Sequence, residues 1–250
     1  MQDSRLYLWP AGRALIFGRT IDSTLHHHHA LQLTLSLDTA FTLQQPGKAT
    51  QTSRASLLWP GEPHSIASQG SALAHLFIDP GQRVLEAAPA PPDAETGQLA
   101  DELARCWRER WPSPEAAALA RRWQACWLPG FDTAPSFDPR IAEAMRMLSV
   151  EQDEVDTPGL AQAVGLSTGR FIHLFGRHTG LPPRRYLIWR RLLIAVDAIA
   201  GGRSLTEAAH EAGFADLPHM SRTFHATFGV VPSQLTRMEI VVDHAADPTQ

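Results

Sequence analysis

A pattern that begins near Leu160 returns about fifty residues later, and a chain that spells one turn twice is expected to build one local unit twice. The first copy, TPGLAQAVGLSTGRFIHLFGRHTG, reads as helix, tight turn, helix. Leu160, Ala161 and Val164 supply the apolar stripe of its first helix. Gly165 stands where a residue of positive φ lets one helix turn into the next, and Ser167 is a good N-cap for the second helix. On that helix Phe171, Leu174, Phe175 and His178 share the inward stripe, leaving Thr168, Gly169, Ile172 and His173 outward. In the second copy, SLTEAAHEAGFADLPHMSRTFHATFGVVPSQL, Leu205, Ala208 and Ala209 replay the first stripe. Gly213 replays Gly165, and Met220, Phe224 and Phe228 replay the aromatic stripe. Between the copies, RRYLIWRRLLIAVDAIA carries a helical stripe through Tyr186, Leu187, Trp189, Leu193, Val196 and Ile199, as a rigid spacer would.

Charge sharpens this reading. The whole chain carries a formal net charge of -4, which taken globally disfavours a nucleic-acid partner. Its distribution reverses that inference. From Thr157 to Arg237 the cations Arg170, Arg177, Arg184, Arg185, Arg190, Arg191, Arg203, Arg222 and Arg237 outnumber Asp197, Glu207, Glu211 and Asp216. A basic segment therefore sits inside an acidic protein.

The first third of the chain has a different grammar. RLYLW, RALIFG, ALQLTLSL, ASLLW and SALAHLFI are short apolar runs punctuated by Gly, Pro, Asp and Ser, the pattern of an all-β sandwich or barrel. ALQLTLSL alternates apolar and polar residues, so one face meets a core and the other meets water or a cavity. The proline-rich EAAPAPPD breaks the pattern. Helical periodicity then runs from Thr96 to Leu128, with Leu99, Leu103, Cys106 and Trp107 on one stripe and Leu119, Trp123 and Trp127 on another. This hairpin either covers the sheet or packs on a second copy of the chain. LPGFDTAPSFDP makes the main boundary, ending near Phe137, and a helix is expected over 139–150. Cys106 and Cys126 lack CxxC spacing and read as core residues of a protein in a reducing compartment. No apolar run reaches about 18 residues, and MQDSRLYLWP lacks the layout of a secretory signal, so a cytoplasmic protein without a membrane partner is expected.

Over roughly Pro139 to Arg237 the sequence resembles the AraC/XylS-type transcription regulators, on LAQAVGLS with its F-x-x-x-F and G-L-P-P, and on AAHEAGF with Ser221-Arg222-Thr223-Phe224, Phe228-Gly229 and Pro232. It departs from them at His173, Gly176, Met220 and His225. The resemblance implies double-stranded DNA as partner, with one recognition helix in each of two major-groove segments. Thr168, Gly169, Ile172 and His173 from the first helix, and Leu217, Pro218, His219, Ser221 and Arg222 from the second, are then the candidate base-contacting residues. Ile172 suits a thymine methyl, His173 a purine acceptor edge and Arg222 a bidentate guanine contact. Arg177, Arg184, Arg185 and Arg190 are the candidate phosphate contacts, which position without specifying.

HHHHALQLTLSL and LLWPGEPHSI together resemble the two half-motifs of a cupin-type β-barrel, the usual sensory domain of these regulators. Enzymatic cupins hold a divalent metal through histidines of both half-motifs and a carboxylate. Here His27, His29 and His64 occur in the right order, with His75 a weaker fourth candidate, while Gln32 stands near where the carboxylate is expected. No cofactor is expected, and a divalent metal on these histidines is the exception to be tested.

The expected architecture is multi-domain: a cupin-like effector-sensing β-barrel over 1–95, a helical hairpin and linker over 96–137, an all-α tandem helix-turn-helix domain over 138–240, and a tail over 241–250. The expected function is a non-enzymatic, effector-responsive transcription regulator, working as a homodimer with a small molecule and DNA as partners and RNA polymerase as a further candidate. The alternative is a metal-dependent cupin enzyme with an appended DNA-binding module.

Overall fold

A computed structural model describes residues 4–9, 13–19, 24–28, 30–78, 93–129, 138–148, 155–179, 182–228 and 231–242. The expected proline-rich connections EAAPAPPD and LPGFDTAPSFDP lie largely outside them. The chain divides into two compact units, one of residues 1–79, 87–132 and 221–250, the other of residues 80–86 and 133–220.

The first unit opens with β1 (Ser4–Trp9), β2 (Arg13–Gly18), β3 (Leu31–Ser36), β4 (Phe41–Gln44), β5 (Gln51–Ser53), β6 (Ala55–Leu58), β7 (Ser65–Ala67) and β8 (Leu73–Ile78). The helical hairpin α1 (Asp93–Glu109) and α2 (Ser113–Trp127) comes next, and β9 (Glu239–Val242) completes the unit from the far end of the chain. A six-stranded sheet runs β6-β3-β8-β2-β1-β9 and a three-stranded one β5-β4-β7. All the expected strands form. The short β4, β5 and β7 and the remote β9 lay outside the sequence pattern, since runs of three or four residues carry too little periodicity to declare themselves.

β3 settles what its alternation left open. Leu31, Leu33 and Leu35 are fully buried, yet Gln32, Thr34 and Ser36 on the opposite face are buried too. Register places Gln32 beside Phe77 and Thr34 beside His75 on β8, so the polar residues share one face. That face looks into the protein interior, not water. At its apolar end Phe41, Leu43, Leu58, Ile66 and Leu73 form a continuous core.

The hairpin covers the other face of the large sheet. Tyr7 donates its hydroxyl to the Trp111 carbonyl (2.7 Å), Trp9 Nε1 donates to Ser113 Oγ (2.9 Å), and Trp107 stacks on Phe17. Trp123 and Trp127 are buried and meet edge to face, 5.5 Å apart. The tryptophans thus fill their own protomer's core, the plainer of the two readings of the hairpin. Cys106 is buried as expected; Cys126 is half-buried.

β9 runs parallel to β1, pairing Arg5 with Glu239 and Leu8 with Val242. The expected boundary at 240 therefore falls inside a strand of the N-terminal sheet.

In the second unit α3 (Pro139–Met147), α4 (Thr157–Ala163), α5 (Thr168–Thr179), α6 (Pro183–Ala200) and α7 (Leu205–Glu211) succeed one another, and α8 (Leu217–Phe228) crosses into the first unit. Both expected turns form alike. Gly165 has φ +69° and Gly213 φ +75°. Each is succeeded by a backbone bond that closes the preceding helix, Leu166 N–H to Ala161 O (2.8 Å) and Phe214 N–H to Ala209 O (2.9 Å). A Cβ on Gly165 would meet nothing within 4 Å, so only backbone strain opposes a side chain there. Gly165→Ala is expected to cost roughly 1–2 kcal/mol; an unchanged urea midpoint would contradict that origin of the turn.

Candidate nucleic-acid interface and enclosed histidine cluster

The caps are local chemistry. The Ser167 carbonyl accepts the first helical bond of α5, from Phe171 N–H (2.8 Å), and its Oγ lies 3.4 Å from Arg170 N. Asp216 Oδ1 accepts from His219 N–H at the start of α8 (2.6 Å), and Ser204 and Glu207 form a reciprocal capping box on α7.

These caps fix which faces turn out. On α5 Phe171, Leu174 and Phe175 are buried while Thr168, Gly169, Ile172 and His173 are exposed. Ile172 leaves 43% of its surface in solvent. On α8 Met220 and Phe224 are buried, Pro218, His219 and Arg222 are exposed, and Leu217 and Ser221 are half-buried. His219 also packs its ring edge-on against Phe214 (5.4 Å), so part of it is structural. Arg177, Arg184 and Arg185 are exposed. Arg190 is half-buried and donates from an Nη to the carbonyl of Leu148 at the end of α3 (3.3 Å), a bond that no sequence signal announces. On the spacer helix Leu192 is fully buried and Leu193 only half-buried, a one-residue shift from the expected stripe.

In the first unit, four histidines gather at the polar end of the sheet interior. His26 pairs with His64 through two backbone bonds, which brings the two half-motifs together. His26, His28 and His64 each offer a ring nitrogen, all within 4.8 Å of one another. The expected trio is thereby shifted by one residue. His27 is exposed, His29 lies outside the described residues, and His26 and His28 take their places beside His64. A run of four histidines carries no parity signal, so sequence could not choose between the alternate pairs.

Each of the three is oriented by a backbone carbonyl. Nδ1 of His26 lies 2.8 Å from Thr24 O, that of His28 2.8 Å from Ala30 O and that of His64 2.8 Å from Glu62 O. Carbonyls only accept, so Nδ1 carries the proton in each ring and Nε2 keeps a lone pair. Gln32 Oε1 lies 2.6 Å from His28 Nε2, while its amide nitrogen reaches Thr34 Oγ1 (3.0 Å) and His75 Nδ1 (3.0 Å). Burial pushes His26 down to about 4 and both His28 and His75 down to about 3, and it lowers His64 as well. The cluster is neutral at pH 7.

Two helix-turn-helix units, each with an exposed face on its second helix, succeed one another in this part of the chain. Residues 160–238 match the family described as "Helix-turn-helix domain". VirF, a virulence regulon transcriptional activator of Yersinia enterocolitica, is 33% identical over 75 residues, 30% of this chain and 28% of that protein. The transcriptional activator RhaS of Pectobacterium atrosepticum is 36% identical over 84 residues, 33% of this chain and 30% of its own length. The chain thus spans under a third of the relatives it matches. Among solved structures, ToxT of Vibrio cholerae superposes with a TM-score of 0.54 at 10% identity, covering 90% of this chain and 98% of that one. ToxT bound to (E)-4-(8-methylnaphthalen-1-yl)but-3-enoic acid gives 0.55 at 10% identity, covering 94% and 98%. The fold is therefore that of ToxT, with a sheet-rich N-terminal part and a helical helix-turn-helix part. Among the described residues no helix is long and apolar enough to cross a membrane.

Proposed function

We propose that this chain is a sequence-specific DNA-binding transcription regulator controlled by a ligand held inside the N-terminal sheet domain. The observation that carries the reading is the duplicated unit: two helices, α5 and α8, entered through matching positive-φ glycine turns, exposing one face while burying Phe171 and Phe175 on α5 and Met220 and Phe224 on α8. Each helix reads its own major-groove segment. Thr168, Gly169, Ile172 and His173 serve as base contacts from α5, and Leu217, Pro218, His219, Ser221 and Arg222 from α8. Arg177, Arg184, Arg185 and Arg190 serve the phosphates, Arg190 with the part of its guanidinium not given to Leu148.

The ligand half of the reading rests on the buried polar face around Gln32, Thr34 and His75. A ToxT structure containing an organic acid supports a fold that admits such molecules. The relatives are named as activators and not as enzymes, which weighs against a cupin enzyme with an appended DNA-binding module. Assembly as a homodimer and contact with RNA polymerase complete the proposal.

Selection of genomic fragments by the purified protein, with anisotropy titration of the best fragment at two salt concentrations, tests it. Arg222→Ala is expected to weaken the selected site by about 1–3 kcal/mol relative to random DNA. Arg184→Ala is expected to weaken both alike and to flatten the salt dependence. Equal losses on both DNAs for Arg222→Ala would remove its base-reading role, and no enrichment of any fragment would remove the regulator.

A further inference from the structure

We infer that the two helix-turn-helix copies divide the work: the first grips the phosphates, through Arg170 together with Arg177, Arg184 and Arg185, and the second supplies most of the discrimination between bases. The inference rests on the DNA-binding function proposed above and assigns each copy its share of it.

Charge is the first observation. Over 155–200 the chain carries Arg170, Arg177, Arg184, Arg185, Arg190 and Arg191 against Asp156 and Asp197. Over 201–238 Arg203, Arg222 and Arg237 meet Glu207, Glu211 and Asp216, and the charges cancel. Partnering widens the difference. Arg170, Arg177, Arg184 and Arg185 are exposed, and none of their guanidiniums pairs with a carboxylate among the described residues. Arg203 instead faces Glu211 at 3.7 Å. Arginines without carboxylate partners are free to meet phosphates, and each that does so releases counterions and adds to affinity on any sequence.

Register is the second observation, and it is independent of the sums of charge. The buried Phe171 and Phe175 of α5 match the buried Met220 and Phe224 of α8, which sets the two helices side by side position for position. Arg170 and Arg177 stand two turns apart on one flank of α5, about 10 Å along its axis, beside the outward face of Gly169, Ile172 and His173. The matching positions on α8 are His219, whose ring packs against Phe214, and Ala226. The flank that grips on α5 therefore has no cation-bearing counterpart of that length on α8.

The outward faces differ in the opposite sense. Ile172 and His173 on α5 match Ser221 and Arg222 on α8, so the guanidinium suited to a bidentate guanine contact belongs to the second copy. The caps follow the same division. α5 starts from the neutral Ser167, whereas α8 starts from the exposed carboxylate of Asp216, which accepts from His219 N–H (2.6 Å). A carboxylate at the reading end of α8 repels phosphates. The second copy thus stays on DNA where its bases fit, while the first holds wherever the backbone runs.

The test uses the full chain, a fragment it selects from genomic DNA and a random duplex of equal length. Arg170→Ala and Arg177→Ala are each expected to flatten the dependence of log affinity on log salt by about 0.9, alike on both duplexes. Gains guard against variants that merely fail to fold. Ala226→Arg, at the exposed α8 position matching Arg177, is expected to steepen the slope by about the same amount. Asp216→Asn keeps a side-chain oxygen for the cap and is expected to tighten both duplexes roughly threefold, the effect of one charge about 6 Å from a phosphate in water. Single base-pair changes across the selected fragment are expected to cost about fivefold or more in one half and much less in the other, with Arg222→Ala blunting the sensitive half. Equal sensitivity in both halves overturns the division, as does a loss confined to the selected fragment in Arg170→Ala. A slope that Ala226→Arg leaves unchanged, or an Asp216→Asn chain that binds no tighter, overturns it too. A chain that grips random duplex through Arg170 yet selects no fragment overturns the regulator while leaving the grip.

Discussion

Lowering the pH from 7.5 to 5 is expected to destabilise the N-terminal unit by several kcal/mol, with the loss beginning near pH 6.5. In the folded chain burial holds His26 at about 4, His28 and His75 at about 3, and His64 below its ordinary value. Once unfolded, all four return to about 6.5. Between that value and the folded ones the unfolded chain binds protons that the native chain refuses, so stability falls as pH falls. It is fully present above the unfolded value. Each histidine contributes a slope of up to about 1.4 kcal/mol per pH unit. Urea midpoints tracked by tryptophan fluorescence at pH 7.5, 6 and 5 give the slope, and His75→Gln should reduce it by one group's share. A midpoint that stays level down to pH 5 would mean that water or an open channel solvates the cluster. Carboxylates that titrate lower in the range, such as Asp38, held down at about 2 chiefly by Ser71 against its own burial, add their losses only at more acid pH.

Glu239→Ala is expected to cost about 2–4 kcal/mol, more than Arg5→Leu, although both delete the same ion pair. Arg5 is buried on β1, its guanidinium 4.7 Å from the centre of the Tyr7 ring. Its Nε and one Nη have no hydrogen-bond partner among the described residues, while the other Nη lies 3.6 Å from Glu239 on β9. Removing the carboxylate leaves a desolvated cation beside Arg110, which itself pairs with Glu239 at 2.7 Å. Removing the arginine instead leaves a carboxylate that is 30% exposed and still held by Arg110. Chemical denaturation of both variants and of the double variant measures the asymmetry. Equal costs would show that Arg5 is already solvated. β9 comes directly after the helix-turn-helix segment, so weakening its place beside β1 loosens the chain's return to the N-terminal sheet.

The helix-turn-helix half was legible because its signals are local. A glycine at positive φ, a serine or aspartate cap and an aromatic stripe all act within one turn or two, and the duplication supplied its own confirmation at Gly165 and Gly213. The same locality explains the shortfalls. Arg190 read as a surface cation because its partner, the Leu148 carbonyl, lies far off in sequence. Leu193 read as core because a stripe on a helix buried over much of its circumference is ambiguous by one residue.

In the N-terminal half the sequence determined the long strands and the alternation of β3, and with it that Gln32 and Thr34 share a face. Whether that face met water or an interior was decided by closure of the second sheet, whose strands of three and four residues leave almost no periodic trace. Among the histidines the sequence determined that a cluster was available. Which of them face inward was decided by the pairing of His26 with His64, because four identical residues in a row look the same in either phase. Only tertiary structure joined β9 to β1: a parallel ladder between the two ends of a chain rests on contacts that no local pattern encodes.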